Sequence, residues 1–167
     1  MTSNFESYIL NKEAGKSYTV KEATLKLMQY CAYRDRSQKE VEDKLLEMRM
    51  IPAAREEIII KLMQEDFLNE ERFARSFVRG KFRIKKWGRY KIQQELKARD
   101  ISSPIIKLAM TEIEESVYTT TLYELAEKKL NLLSEEDKFK LKKKLGDYLI
   151  RKGYESSLVY EVTEDLI

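Results

Sequence analysis

Between Arg72 and Arg99 the chain places eleven Lys or Arg residues against a single acid, Glu95, a formal charge of +10. The whole chain is only +3, so the remaining residues stand at −7. Three aromatic residues, Phe82, Trp87 and Tyr90, interleave with these cations. Guanidinium and ammonium groups neutralise phosphates, and aromatic faces stack on bases. The chemistry written into this segment is polyanion binding rather than bond making.

On a helix turning about 100° per residue, Arg72, Arg75, Arg79, Arg83 and Lys86 form one narrow stripe. Phe73, Phe77 and Ile84 fall nearly opposite, toward a core, while Phe82 lies beside the stripe. Lys81 points to the apolar side and must snorkel out. Like charges at i,i+4 repel by a few tenths of a kcal/mol each, and no acid within the helix is expected to relieve them. Residues 38–47 alternate sign instead, as a helix shaped only for solubility would. The stripe therefore reads as a surface kept for a polyanion, with Lys85, Arg89 and Lys91 extending it. A solvated face without a partner is the alternative. Trp87 and Tyr90 flank Gly88, so they can equally plug a helix junction. A second basic run, Lys138 to Lys144, follows Glu135, Glu136 and Asp137, which makes it partly ordinary dipole pairing.

The residue types exclude much else. There is no His and one Cys, Cys31. A Cys/His zinc site, a His-dependent nucleophile and an intrachain disulfide are therefore absent. Cys31 sits in an apolar helical stretch and reads as a packed thiol. No phosphate-cradling glycine loop occurs. Glu70 and Glu71 diverge by about 100° on a helix, a poor start for a two-metal nuclease, and serve better as acids at a helix N-terminus. No signal sequence or membrane-length apolar run is seen. The expectation is a soluble, cytoplasmic protein that uses no cofactor or metal, is not an enzyme, and is a monomer, since no coiled-coil seam appears.

The elements that must position the stripe are helices. Five Gly and two Pro in 167 residues leave little for β turns, and helix formers dominate. Three apolar ladders recur: Val41, Leu45, Met50, Ala54, Ile58, Leu62; then Ile92, Leu96, Ile101, Ile105, Ala109, Ile113; then Leu145, Leu149, Tyr154, Leu158, Val162, Leu166. Each steps by four, five, four, four and four, and the ladders are offset by 51 and 53 residues. Steps of four hold one helix face, and the five crosses a short connection. A further helix precedes each hairpin, starting near Lys21, Asn69 and Tyr118. Thr19 to Glu22 and Ser37 to Glu40 are capping boxes, Ser103-Pro104 starts a helix, and Gly153 ends one. The fold expected is all-α: three tandem three-helix repeats forming an elongated, curved array. Residues 1–18 are an N-terminal appendage, and the repeats span 19–67, 68–116 and 117–167.

The run CAYRDRSQKEVEDKLLEM, followed by FLNEERFARSFVRGKFRIKKWGRYKIQQELKARDI, resembles the RecX proteins, regulators of the bacterial RecA recombinase. Arg34-Asp35-Arg36-Ser37, Glu40-Val41 and Lys44-Leu45 carry the likeness in the first repeat. Phe73-Ala74, Phe77-Val78, Gly88, Ile92, Glu95-Leu96 and Ile101 carry it in the second. It extends over residues 19–166 and is weakest in the third repeat. Many relatives have Gly-Pro in place of Gly88-Arg89 and Lys-Gly in place of Arg99-Asp100. The resemblance implies three three-helix repeats, no catalytic motif, and a protein lying in the groove of a RecA–DNA filament, restraining its ATPase, strand-exchange and co-protease activities. The partners are then the RecA nucleoprotein filament and the DNA backbone, with no membrane. The site is Arg72, Arg75, Arg79, Phe82, Arg83, Lys85, Lys86, Trp87, Arg89, Tyr90 and Lys91. A general nucleic-acid-binding module that needs no RecA is the alternative function.

Overall fold

A computed structural model describes residues 17–167; the appendage expected over 1–18 lies outside the described residues except for Ser17 and Tyr18. The described residues form nine helices and no strand: α1 (Val20–Tyr33), α2 (Gln38–Glu47), α3 (Pro52–Gln64), α4 (Glu70–Arg83), α5 (Arg89–Lys97), α6 (Ser103–Met110), α7 (Glu115–Leu130), α8 (Lys138–Lys152) and α9 (Ser156–Leu166). Both predicted capping boxes start helices, but only the second is complete. The Thr19 side chain accepts from the Glu22 N–H, and Ser37 and Glu40 satisfy each other's backbone donors reciprocally. One cap moves: α6 is preceded by Ser102 rather than Ser103, its side chain makes no capping bond, and Pro104 is the second helical residue.

The ladder's step of five has a single cause in all three repeats. Met50 N–H donates to Leu45 O (3.1 Å), Ile101 to Leu96 (3.2 Å) and Tyr154 to Leu149 (3.3 Å). Each is the long bond of a Schellman ending, and it joins the two apolar residues that flank the step. The residue before each donor adopts a left-handed conformation: Arg49 at φ 56°, Asp100 at 57° and Gly153 at 97°. Only the third repeat uses glycine there. Asp100, which carries a side chain, still takes the turn.

Two compact units divide between Asn69 and Glu70. In the first, α1 packs on α3 and α2 on α3 around Leu27, Val41, Leu45, Ile58 and Leu62, with Cys31 buried in the same core. The joint between α1 and α2 is polar and fully used. The Arg36 guanidinium lies 3.7 Å from the Tyr30 ring centroid and donates to Tyr30 O. Arg34 and Arg36 both pair with Glu40. Burial alone would raise the Glu40 carboxyl, but hydrogen bonds from Arg34 and the Ser37 N–H outweigh it and hold the group below its ordinary value.

The second unit gathers α4–α9 around one core. Within it α4 packs on α6, and α7 and α8 on α9. An aromatic chain crosses from the middle helices to the last ones. Phe82 of α4 lies 5.8 Å from Tyr118 of α7, which lies 5.1 Å from Tyr154 at the α8–α9 turn. The ladder residues Ile92, Leu96, Ala109, Leu145 and Leu149 are wholly buried, while Ile105, Leu158 and Leu166 pack at its edge.

Two outcomes follow from the turns and the joint. Arg49→Gly removes the left-handed cost and should raise stability by about 0.5–1 kcal/mol in urea unfolding; Gly153→Ala should lower it by more than that. Glu40→Gln should flatten the acid limb of the stability curve. A depressed carboxyl contributes above its unfolded value and loses that contribution as pH falls through its folded one. The wild type should therefore lose stability on acidification below the ordinary Glu value of 4.5, and the variant should lose less.

Candidate nucleic-acid interface

The stripe predicted on α4 divides into a paired half and an open half. Glu112, just past α6, bridges two members of the first: Oε1 lies 3.0 Å from Arg75 Nη1 and Oε2 3.2 Å from Arg79 Nη1. Arg75 also pairs with Glu71 at 2.9 Å, so an acid within the helix does relieve the stripe, contrary to the sequence reading. Hydrogen bonds from Arg75 and then Arg79 hold the Glu112 carboxyl below its ordinary range. These two arginines fasten α4 to the end of α6. Arg72 is half-exposed on the first turn.

The remaining half faces solvent. α4 ends at Arg83, with Ile84 as the next residue, its N–H still donating to Gly80 O, and Lys86 beyond it. Lys86 takes φ 55°, and Ile84, expected in the core, is 77% exposed. Arg83, Lys85 and Lys86 are all exposed, and none has an ion-pair partner among the described residues. The negative end of the α4 dipole favours cations here by about 0.3–1 kcal/mol, so their repulsion is partly offset.

Phe82 requires a correction. It is 4% exposed and packs on Tyr118, leaving no face for a base. The reason is the breadth of the buried arc of α4, which runs from Phe73 through Ala74 and Val78 to Phe82 because the helix is covered by α6 and by Tyr118 together. The spacing of four along 74, 78 and 82 carried that signal.

Trp87 is half-buried against the core, with Lys81 Nζ 4.9 Å and Lys91 Nζ 4.5 Å from its ring centroid. Lys81 also lies 5.2 Å from the Phe77 ring, which is where the apparent misfit goes. Trp87 thus plugs the junction and carries two cations. Tyr90 is 55% exposed.

Arg89 is not a free cation. It pairs with Glu115 and, at 3.3 Å, with Glu155. Its backbone N–H donates to the Tyr118 hydroxyl (3.0 Å), which donates to Glu155 (2.6 Å). Burial and the adjacent carboxylate push the Tyr118 phenol well up, so it stays protonated. A proline here would have no N–H to offer.

What aims the open cations is a backbone contact between two glycines. Gly88 N–H donates to Lys152 O (2.8 Å), and Tyr90 N–H to Gly153 O (3.0 Å). A Cβ on Gly88 would lie 2.3 Å from the Gly153 carbonyl, and one on Gly153 would lie 2.4 Å from Lys91 Cβ. The α5 N-terminus is therefore seated on the α8 C-terminus. Tyr154 Oη donates to Lys86 O (3.1 Å) and Lys152 Nζ to Lys85 O (3.3 Å), so both carbonyls are tied inward while both ammonium groups face solvent. The sequence showed each glycine at a junction, but not that the two junctions meet. Tyr118, Glu112 and Glu155 were missed, because nothing local marks a partner tens of residues away. Among the described residues, no group of three or more Asp, Glu or Cys gathers to hold a metal, and no helix is long and apolar enough to cross a membrane.

The residues that build this surface also match known sequence profiles. Residues 69–110 match the second three-helix domain of RecX, and residues 117–163 the third. The chain belongs to the RecX family. Regulatory protein RecX of Clostridium perfringens is 32% identical over 136 residues, 78% of this chain and 63% of the relative. That of Bacillus cytotoxicus is 28% identical over 158 residues, 95% of this chain and 56% of the relative. The chain thus spans between 56% and 63% of the length of these RecX relatives. The crystal structure of RecX from Lactobacillus salivarius superposes with a TM-score of 0.80 at 26% identity, covering 88% of this chain and 96% of that one. The tandem three-helix repeats read from the ladders are the RecX fold.

The glycine contact makes a paired prediction. Gly88→Ala must push the two backbones apart and should cost about 3 kcal/mol or more in urea unfolding. Gly80→Ala, mid-helix with nothing within 4 Å of the added carbon, should instead stabilise by about 0.5–1 kcal/mol.

Proposed function

We propose that this protein is a non-catalytic modulator of recombinase filaments, which binds a RecA–DNA filament and restrains its ATPase, strand-exchange and co-protease activities. The observation that carries the DNA-binding side of this reading is the open half of the stripe. Arg83, Lys85 and Lys86 stand exposed and unpaired beside Trp87, Tyr90 and Lys91, at the end of a helix whose other cations are engaged. Membership of a family of regulatory proteins supports the rest. No sequence-specific readout is built here, since three flexible side chains at a helix end suit phosphates rather than base edges. Arg75, Arg79 and Arg89 belong to the framework instead. Reversing their charge would unpair Glu112 or Glu155 and so test folding rather than binding.

The test is binding by fluorescence anisotropy to single-stranded DNA, bare and RecA-coated, across a salt series. The Arg83→Gln/Lys85→Gln/Lys86→Gln variant should keep its helix content and lose affinity for coated DNA. Its plot of log affinity against log salt should be shallower by about 2, the slope of three single-strand phosphate contacts. Inhibition of RecA ATPase should fall with it. Equal wild-type affinity for bare and coated DNA would instead identify a general nucleic-acid-binding module. An unchanged slope in the variant would mean that the surface is wrongly chosen.

A further inference from the structure

The first unit carries a surface of different chemistry. Leu46, Ile51, Ile60 and Met63 are 53, 67, 47 and 41% exposed. Leu46, Ile60 and Met63, with Pro52 and Ile59, line a groove of about 480 Å³ between α2 and α3, beside Ile51 at the start of α3. A second hollow of about 550 Å³ continues along α3 past Ile60 to Glu57 and Glu65.

The repeats supply an internal control. In the register set by Leu45 and Leu96, these four positions correspond to Lys97, Ser102, Thr111 and Glu114 of the second repeat, all exposed and all polar. In the third repeat Ile51 and Ile60 correspond to Glu155 and Glu164, while Ile150 and Ile167 stay apolar. The scaffold therefore does not require apolar side chains here, and leaving a cluster of them in water costs solubility without adding to the core.

The rim is acidic. Glu42, Glu56, Glu57 and Glu65 line the two hollows with only Arg55 and Lys61 among them. Glu56, Glu57 and Glu65 have no ion-pair partner among the described residues, and Glu42 accepts only from Gln38. Carboxylates in this arrangement repel phosphate and attract Lys and Arg. An apolar trough between two helices takes a third helix through side chains spaced i, i+3/i+4 and i+7.

We propose that the α2–α3 groove docks an amphipathic helix of a partner protein, its apolar stripe flanked by Lys or Arg. The first unit then recognises protein while the open cations of the second unit meet nucleic acid. The groove's apolar and acidic lining does not depend on the open cations.

The test is a methyl NMR titration of the full chain with two designed peptides of roughly 18 residues. Both carry Leu at helical spacing; one has Lys at the flanking positions and the other Glu. The Lys peptide should shift the methyls of Leu46, Ile60 and Met63 saturably, and the Glu peptide should leave them in place. Glu56→Lys/Glu57→Lys should weaken the Lys peptide by about fivefold or more. Leu46→Lys/Ile60→Thr, which copies the second repeat, should abolish binding with helix content retained. If the latter variant fails to fold, the charge variant decides alone. No shift with either peptide, an equal response to both, shifts on simple dilution that mark a second copy in the groove, or movement of the same methyls by single-stranded DNA would each overturn the proposal.

Discussion

The second unit depends on two backbones meeting with no side chain between them. Gly88 and Gly153 belong to different repeats, and each would collide with the other segment if it carried a Cβ. Their contact lets the N-terminus of α5 be capped by carbonyls at the end of α8. It also brings Tyr118 under Arg89 and Tyr154 under Lys86. Orphan donors at a helix start are costly to bury unmet, so this joint closes only in one register. The loop from Ile84 to Trp87 inherits its position from that register, and with it the direction of its lysines.

Charge in this unit is sorted by function. Exposed ion pairs contribute little singly, but Glu112 between Arg75 and Arg79 fastens the end of α6 to the middle of α4. Arg89, with two carboxylates, a tyrosine face 3.9 Å away and a backbone donor, serves the joint between α5 and α7. What is left over is small: the exposed cluster of Arg83, Lys85 and Lys86, two more cations resting on an indole, and Lys97 alone at the other end of α5. A +10 segment thus presents a much smaller usable field than its composition announces, in one place rather than along a ridge. On the proposed function, that concentration suits a contact that adds to others on a long filament rather than one that binds DNA tightly alone.

Most of the fold was legible because its signal is periodic and local. The three ladders, their offset and their step of five located the hairpins, and the step proved to be the Schellman bond itself. The capping boxes at Thr19 and Ser37 marked helix starts within a residue. The site was less legible, for a physical reason. A helix wheel assumes one buried face, and α4 is covered on two sides, so Phe82 was placed in solvent. The same wheel ran past the true helix end at Arg83 and assigned Ile84 to the core. Glu112, Glu115 and Glu155 neutralise arginines 26 to 66 residues away in the chain or beyond a turn, and no spacing rule reaches that far. Net charge over a segment counts residues; it does not count partners.

On the proposed function, only the unpaired half of the basic segment meets phosphate. It is tested most directly by following the arginine Nε–H resonances while a short single-stranded oligonucleotide is added. Arg83 should shift progressively and salt should reverse the shift, while Arg75, Arg79 and Arg89, held by their carboxylates, should stay where they are. A titration in which the four arginines respond alike, or in which Arg75 and Arg79 lead, would contradict it.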